Sequence, residues 1–202
     1  MREIFNIELQ QIFNRNMPIV IELGCGRNKT PGRIGIDRLN MPGVDIVADI
    51  EQGLPFFPDN SVDEIHSRSF FEHVENLEGL MREIVRVLKP DGTCHLFVPH
   101  FSNPYYYSDY THNKFMGLYT FYYFVDDIYQ LRRKVPNFYT DIRIRVVSQK
   151  LVIANPFKRL SLFKKPLEVI FNCNSMFQEF YEANLCWICP CYGLDLVFKA
   201  DK

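Results

Sequence analysis

The chain has 202 residues, of which 47% are hydrophobic and 23% are charged, a composition that suits one globular domain and excludes a disordered or fibrous chain. The formal net charge is −1, without long runs of one sign, which argues against a nucleic-acid binder because such proteins carry a basic footprint. No apolar run approaches the roughly 20 residues that span a bilayer, and the acidic residues Glu3 and Glu8 do not fit a signal peptide. We therefore expect a single cytoplasmic domain over residues 1–202 without a nucleic-acid partner.

Short strands and crossovers alternate along the first half of the chain. The apolar periodicity predicts an amphipathic opening helix over residues 4–13, ended by Pro18, and a second helix over residues 77–88 with Asn76 as its N-cap. Strand-like segments lie at residues 19–21, 33–36, 44–48, 62–66, 93–98, 141–153 and 194–198. Residues 89–92 predict a turn before the fifth of these strands. This order favours an α/β fold on a mostly parallel sheet.

The first predicted strand runs into Glu22-Leu-Gly-Cys-Gly26, where two glycines allow the backbone to turn sharply and a ligand to approach it closely. Asp37 ends the second strand and is placed to accept hydrogen bonds from ribose hydroxyls. Asp49 ends the third strand and is placed to meet an adenine amino group. Because ligands of such sheets bind outside the carboxyl ends of the strands, these residues predict a nucleotide site.

The same loop argues against a dinucleotide. A dinucleotide site places a third glycine before a helix whose N-terminus holds the pyrophosphate, but Lys29 stands at that position and Thr30-Pro-Gly32 leaves no room for a helix. S-adenosylmethionine has an amino acid instead of a pyrophosphate. Backbone groups near Gly24 and Ser67 could meet its ammonium, and Asn28 or Lys29 its carboxylate. We therefore predict S-adenosylmethionine as the cofactor.

Six motifs in register carry a family resemblance: Glu22-Leu-Gly-Cys-Gly26, Gly35-Ile-Asp37, Ala48-Asp-Ile50, residues 54–63, Phe71-Glu-His-Val74 and Val87-Leu-Lys-Pro-Asp-Gly92. They resemble the motifs of class I S-adenosylmethionine-dependent methyltransferases, most closely the type 11 subgroup, over residues 18–100. The resemblance implies a Rossmann-like doubly wound sheet of about seven strands with an antiparallel last strand. The helices after the first two strands are expected to be shortened to loops. The expected cofactor-binding residues are Glu22, Gly24, Cys25, Gly26, Asn28, Asp37, Arg38, Asp49, Ile50 and Ser67.

Candidate catalytic residues follow the fourth and fifth strands. A hydroxyl acceptor must lose a proton during methyl transfer, and His112 is the preferred candidate for the general base. Asp109 lies three residues earlier, so on a helical turn it would share a face with His112 and fix the tautomer of the imidazole. His100 and His73 are further candidates. The alternatives are a capping role for Asp109 and an exposed position at a strand end for His100.

Three other features leave more than one interpretation open. The aromatic run from Tyr105 to Tyr123 predicts either a pocket for a sugar or planar ring, or core packing. The cysteines of Cys186-x-x-Cys189-x-Cys191 have a zinc-like spacing, but their apolar surroundings favour buried thiols without metal. Residues 157–165 are basic and apolar together, which indicates either the charged outer face of a helix, the favoured interpretation, or contact with a phosphorylated or membrane-attached acceptor.

Taken together, these patterns predict a methyltransferase whose first half binds the cofactor. Residues 101–140 and 155–190 are expected to form an acceptor-side cap. The expected reaction is O-methylation of a small molecule or of a sugar or glycan precursor. An N-methyltransferase and a catalytically silent module of the same fold are the alternatives.

Overall fold

The computed structural model describes residues 3–14, 17–155 and 163–202. Its strands are β1 (Ile4–Phe5), β2 (Val20–Leu23), β3 (Ile34–Asp37), β4 (Ile46–Val47), β5 (Val62–Arg68), β6 (Leu88–Pro99), β7 (Ile144–Val152) and β8 (Gly193–Ala200). Its α-helices are α1 (Leu9–Phe13), α2 (Leu77–Val87), α3 (Lys165–Phe171) and α4 (Ser175–Asn184). None of the helices in these described ranges is long and apolar enough to cross a membrane.

The strands form one sheet in the order β1-β4-β3-β2-β5-β6-β8-β7. The five strands from β4 to β6 in this order are parallel, whereas β8 is antiparallel to both of its neighbours. The Rossmann-like sheet with an antiparallel last strand is therefore confirmed. Because the chain crosses from β3 and β4 on one side of β2 to β5 on the other, the carboxyl ends of β2 and β5 flank the place where a ligand is expected.

The opening helix predicted over residues 4–13 is wrong in its first half. Ile4 and Phe5 form an antiparallel edge strand on β4 instead, and only Leu9–Phe13 is helical. The Asn6 amide extends this pairing by donating to the Asp45 carbonyl at 2.8 Å. A five-residue helix gains little by itself, so pairing with β4 outweighs the helical periodicity of this segment.

Helix α2 confirms the second prediction, since the Asn76 side chain caps it by accepting from the Gly79 amide at 2.9 Å. The turn predicted at residues 89–92 lies within β6 instead. Pairing between β5 and β6 passes from Leu88 directly to Thr93, so the intervening residues are a bulge that absorbs the turn-forming sequence.

Loops replace the helices after β2 and β3, as the sequence predicts. One sheet face therefore carries an open cleft lined by polar side chains, among them Glu22, His66 and His95. The imidazoles of His66 and His95 stack across β5 and β6 with ring centroids 4.7 Å apart. The alternating apolar residues of the same strands, such as Ile21 and Ile65, are fully buried on the other face. The face opposite the cleft therefore holds the hydrophobic core, while the cleft face is thinly covered.

Candidate active site

A cavity of about 460 Å³ lies where β2, β3 and β4 end. Gly24, Asp37, Arg38, Asp49 and Ile50 line it, all of them among the predicted cofactor-binding residues. Gly24 has φ of +65°, in the left-handed region that favours glycine, which lets the backbone form the cavity floor directly after β2. The structure thus brings three consecutive strand ends together around one cavity.

The Asp37 carboxylate is held by two backbone amides of the loops that follow β2 and β3. Its Oδ2 accepts from the Gly26 amide at 2.9 Å, and its Oδ1 accepts from the Leu39 amide at 2.9 Å. Each carboxylate oxygen retains acceptor capacity after one such bond. The arrangement therefore fixes the carboxylate while leaving it able to accept from the hydroxyls of a ribose.

Asp49 and Ile50 provide a polar and an apolar group beside each other. The Asp49 Oδ1 accepts from the Glu51 amide at 3.2 Å and caps a short 3₁₀ turn, and Ile50 is 3% exposed. An adenine ring needs an apolar surface and an acceptor for its amino group, and both are present here. The chemistry of Gly24, Asp37, Asp49 and Ile50 therefore fits the nucleoside part of S-adenosylmethionine.

Other predicted cofactor-binding residues lie outside this cavity. The Glu22 carboxylate points into the open cleft, where its Oε2 accepts from the Thr30 amide at 2.9 Å and orders the loop after β2. The Ser67 hydroxyl donates to the Leu23 carbonyl at 3.0 Å and is 5% exposed. The position of Glu22 follows from strand alternation, because its neighbours Ile21 and Leu23 are buried on the core face and Glu22 therefore points to the cleft face.

Three predicted residues of the loop after β2 also lie outside the cavity, and two of them have structural roles. The Cys25 side chain packs beside Val44 and Val47, and burial raises the pKa of its thiol to about 11. The Gly26 amide serves the Asp37 carboxylate, as described above, and its backbone has φ of +55°. Asn28 is exposed and does not line the cavity. None of the three lines the cavity, and their predicted part in cofactor binding stays a prediction.

Ser69 and Phe70 line the cavity in place of the more distant Ser67, and neither was predicted. Strand β5 continues to Arg68, two residues beyond the expected end, and Ser69 then turns with φ of +52°. The Phe70 side chain packs so close to Gly24 that a Cβ at that glycine would lie 2.6 Å from its ring. The extended strand therefore shifts the cavity wall by two residues.

A second cavity, of about 360 Å³, adjoins the first. The two share Ser69 and His73 as lining residues. Its other walls include Glu72, Asp109 and His112, together with the aromatic side chains of Tyr105, Tyr106 and Tyr192. The predicted catalytic candidates His73, Asp109 and His112 therefore meet at one cavity, next to the expected cofactor position.

The two imidazoles of this cavity are held in a defined tautomer. His112 Nδ1 donates to the Tyr106 carbonyl at 2.9 Å, and His73 Nδ1 lies 3.2 Å from the Thr111 carbonyl and 2.9 Å from its hydroxyl. A carbonyl oxygen only accepts, so in each neutral ring Nε2 carries the lone pair. The rings meet edge to face with centroids 4.8 Å apart. Burial first, and His73 second, lower the pKa of His112, which keeps its lone pair available at neutral pH.

Asp109 is correctly placed near His112 but does not fix its tautomer. Its Oδ2 lies 3.6 Å from His112 Nε2, whereas its Oδ1 accepts from both the amide and the hydroxyl of Thr111 at 2.9 and 2.6 Å. These bonds to Thr111 lower the pKa of Asp109, so it remains a carboxylate. The predicted helical turn is absent, and the Asp109 side chain forms a local turn while placing negative charge beside the imidazoles.

Glu72 is a residue of this cavity that the sequence did not single out. Its side chain is 1% exposed, its Oε1 lies 4.0 Å from His73 Nε2, and its Oε2 has no hydrogen-bond partner. Burial above all, with a smaller contribution from the negative charge of Asp109, raises its pKa to about 7. The only signal in the sequence is its place in the motif Phe71-Glu-His-Val74. An unpaired buried carboxyl is unfavourable for folding, which is typical of functional sites.

His100 is not part of this site, contrary to prediction. It is fully buried, with Nδ1 2.8 Å from the Ser102 hydroxyl and Nε2 3.1 Å from the Glu182 Oε2. Glu182 lies on α4, and its Oε2 also accepts from the Leu118 amide. His100 therefore joins β6 to the inserted helix, and its role is structural.

The aromatic run is divided between the second cavity and the core, and a sugar or planar ring as occupant of that cavity stays a prediction. Tyr105 and Tyr106 line the second cavity, whereas Phe121 and Tyr122 are buried in the core. The late cysteines Cys186 and Cys191 are buried, as predicted, while Cys189 is half-buried. The absence of metal at these cysteines stays a prediction. None of the described residues of 163–190 lines either cavity.

Comparison with known proteins finds a family model that matches part of the cofactor half. Residues 22–96 match a family model described as a methyltransferase domain, the type 11 model. The predicted resemblance to class I S-adenosylmethionine-dependent methyltransferases is confirmed. The predicted cofactor, S-adenosylmethionine, is the one that this family binds. No curated protein matches the chain significantly.

Solved structures agree on the fold. An S-adenosylmethionine-dependent methyltransferase from Archaeoglobus fulgidus is 17% identical, with 95% of this chain and 90% of that one covered and a TM-score of 0.54. The YcgJ protein from Bacillus subtilis is 17% identical over 96% and 97%, with a TM-score of 0.50. Coclaurine N-methyltransferase, bound to N-methylheliamine and S-adenosylhomocysteine, is 17% identical over 92% and 68%, with a TM-score of 0.52. At these identities the likeness shows the methyltransferase fold alone.

Proposed function

We propose that the chain is an O-methyltransferase that uses S-adenosylmethionine to methylate a hydroxyl group of a small molecule or of a sugar or glycan precursor. The observation that carries the proposal is the pair of adjoining cavities. One has the carboxylates of Asp37 and Asp49, the other has imidazoles with free Nε2 lone pairs, and the two meet at Ser69 and His73. A donor and an acceptor bound in them would face each other at that junction.

The cofactor half has a defined part for each residue. Asp37 would accept from the ribose hydroxyls while its own position is fixed by the Gly26 and Leu39 amides. Asp49 and Ile50 would hold the adenine, and Gly24 allows close approach of the chain carrying the methyl group. When bound, S-adenosylmethionine supplies an electrophilic methyl group on a positively charged sulfur.

The acceptor half removes the proton that O-methylation releases. As the new oxygen–carbon bond forms and the sulfur–methyl bond of the donor breaks, the hydroxyl proton would pass to Nε2 of His112, which would become an imidazolium and later return the proton to solvent. Asp109, with Oδ2 3.6 Å from that nitrogen, stabilises the positive charge. Tyr105 and Tyr106 offer faces and hydroxyl groups typical of contacts with sugars and planar rings.

Substitution of His112 by asparagine tests this assignment. Asparagine can still donate to the Tyr106 carbonyl but has no basic nitrogen, so turnover should fall by roughly 10²–10⁴-fold while cofactor affinity is unchanged. The activity of the parent should also fall as the pH drops through the lowered pKa of His112. Glu72, His73 and Asp109 face the same cavity, so the measured pH profile reports the coupled ionisation of all four groups. His95→Asn, in the open cleft, is the matched control.

The acceptor itself is sought by incubating a cell extract with the protein and methyl-labelled S-adenosylmethionine, followed by mass spectrometry. A labelled ether supports the proposal. A labelled amine would support N-methylation instead, and cofactor binding without any labelled product would support a silent binding module. A His112→Asn variant with normal turnover and an unchanged pH profile would remove His112 from the mechanism.

A further inference from the structure

The inserted helices α3 and α4 and the turn after them expose large apolar side chains. Over the described residues 163–190 these include side chains from 48% to 80% exposed, namely Phe163, Val169, Ile170, Phe180, Trp187 and Ile188. Scattered exposed apolar residues are ordinary, but such a density within one inserted segment indicates an interaction surface. We call this surface, residues 163–190, the helical insert.

The acidic residues of the helical insert all point inward. Glu168 Oε2 accepts from the Ile153 and Ala154 amides at 2.9 and 3.0 Å. Glu179 Oε1 accepts from the Tyr119 hydroxyl at 2.9 Å. Glu182, as described above, is bound to His100. The only exposed charged side chain among the described residues of the insert is therefore a cation, Lys165, whose Nζ also lies 2.6 Å from the Glu168 Oε1.

Further cations border this apolar surface. Arg132 and Arg133 are exposed and line a cleft with Met176 and Phe180 of α4. The sequence that leads into α3 is Phe157-Lys-Arg-Leu-Ser-Leu-Phe-Lys-Lys165, with four cations, four apolar residues and no acid. Residues 156–162 lie outside the described part of the chain, so only their composition enters here. The described part of the surface thus combines apolar side chains with the positive charge of Lys165, Arg132 and Arg133.

We propose that the helical insert docks on an anionic membrane surface. Aromatic and aliphatic side chains bury in the interfacial zone of a bilayer, while lysines and arginines meet its negative headgroups, and this surface offers both. A second copy of the chain fits less well, because a two-fold interface would bring the same cations against each other. This inference is independent of the proposed methyl transfer.

Vesicle co-sedimentation of the full chain tests the proposal. The protein should bind phosphatidylcholine vesicles that contain about one third phosphatidylglycerol. It should bind vesicles of pure phosphatidylcholine more weakly, and high salt should weaken its binding to the anionic vesicles. Ile188 is 80% exposed, so Ile188→Glu should leave the fold intact, as circular dichroism can verify, yet weaken vesicle binding roughly tenfold or more.

The chain offers a matched control in Ile128→Glu. Ile128 is 78% exposed but follows Asp126 and Asp127 directly, so its surroundings do not suit an anionic bilayer. This variant should bind vesicles as the parent does. Absence of vesicle binding, or equal losses in both variants, would overturn the proposal. So would a dimer by light scattering that Ile188→Glu dissociates while vesicle binding persists, because the insert would then bind a second copy.

Discussion

Asp37→Asn isolates the charge of the cavity carboxylate that we propose accepts hydrogen bonds from the ribose. Asparagine retains an oxygen that can accept from one of the two backbone amides, at Gly26 or Leu39, so the loop geometry is largely preserved. Hydrogen bonds to a charged acceptor contribute about 1.5–3 kcal/mol. Their loss corresponds to an increase in the Kd for S-adenosylmethionine of roughly 10- to 150-fold.

Isothermal titration calorimetry measures this change directly. S-adenosylhomocysteine should lose the same factor, because the substitution acts on the ribose, which both ligands share. Asp91→Asn, on an exposed residue of the β6 bulge, should leave both affinities unchanged. If Asp37→Asn binds both ligands with parental affinity and an intact circular dichroism spectrum, Asp37 does not hold the ribose and the cavity has been misassigned.

Two further predictions concern the loop after β2 and the late cysteines. Gly24→Ala should weaken cofactor binding more than Gly26→Ala. Both glycines have positive φ, but only at Gly24 would the new Cβ clash with a neighbour, because it would lie 2.6 Å from the Phe70 ring. Calorimetric titration of both variants with the cofactor measures the difference. Because Cys186, Cys189 and Cys191 are predicted to bind no metal, elemental analysis of the purified chain should find no stoichiometric zinc. A chelator should leave the thermal transition unchanged. Stoichiometric zinc, together with unfolding on chelation, would reverse this prediction.

The sequence predicted the cavity residues that stand at strand ends. Gly24, Asp37 and Asp49 each follow a short apolar strand, and parallel strands necessarily bring such residues to one edge of the sheet. The local sequence pattern was less informative about which face of the sheet a side chain points to and where a strand ends. Glu22 precedes the buried Leu23 and therefore faces the cleft, and Ser69 replaced Ser67 because β5 is longer than its apolar pattern suggested.

Contacts between distant segments were the main limit of sequence reasoning at the acceptor side. Nothing near His100 indicates that Glu182, on an inserted helix, will bury it. Likewise the grouping of Glu72 with His112 depends on how the loop after β6 folds back on the end of β5. Residue types and spacing thus predicted the histidines as candidates, but only the fold separates a structural histidine from one that faces a cavity.

Glu72→Gln tests whether the second cavity keeps a carboxyl group that destabilises the fold but serves the reaction. The pKa of Glu72 is raised by burial from 4.5 to about 7 in the folded chain, so the folded state binds more protons than the unfolded state between these values. The unfavourable contribution of Glu72 to the free energy of unfolding is therefore smallest at low pH, where the carboxyl is protonated. The stability of the folded chain falls as the pH rises from about 4.5 to about 7. A shift of this size corresponds to a loss on the order of 3 kcal/mol above pH 7.

Glutamine does not ionise, so the Glu72→Gln variant should lose less stability across this pH range and should melt higher than the parent at pH 8. Chemical denaturation at several pH values measures the difference, and Glu78→Gln, on the exposed face of α2, should follow the parent. An unchanged pH dependence would mean that Glu72 is not buried as an unpaired carboxyl. If the variant has this higher stability and also turns over less substrate, the parent retains an unfavourable buried carboxyl beside His73 because that carboxyl serves the reaction.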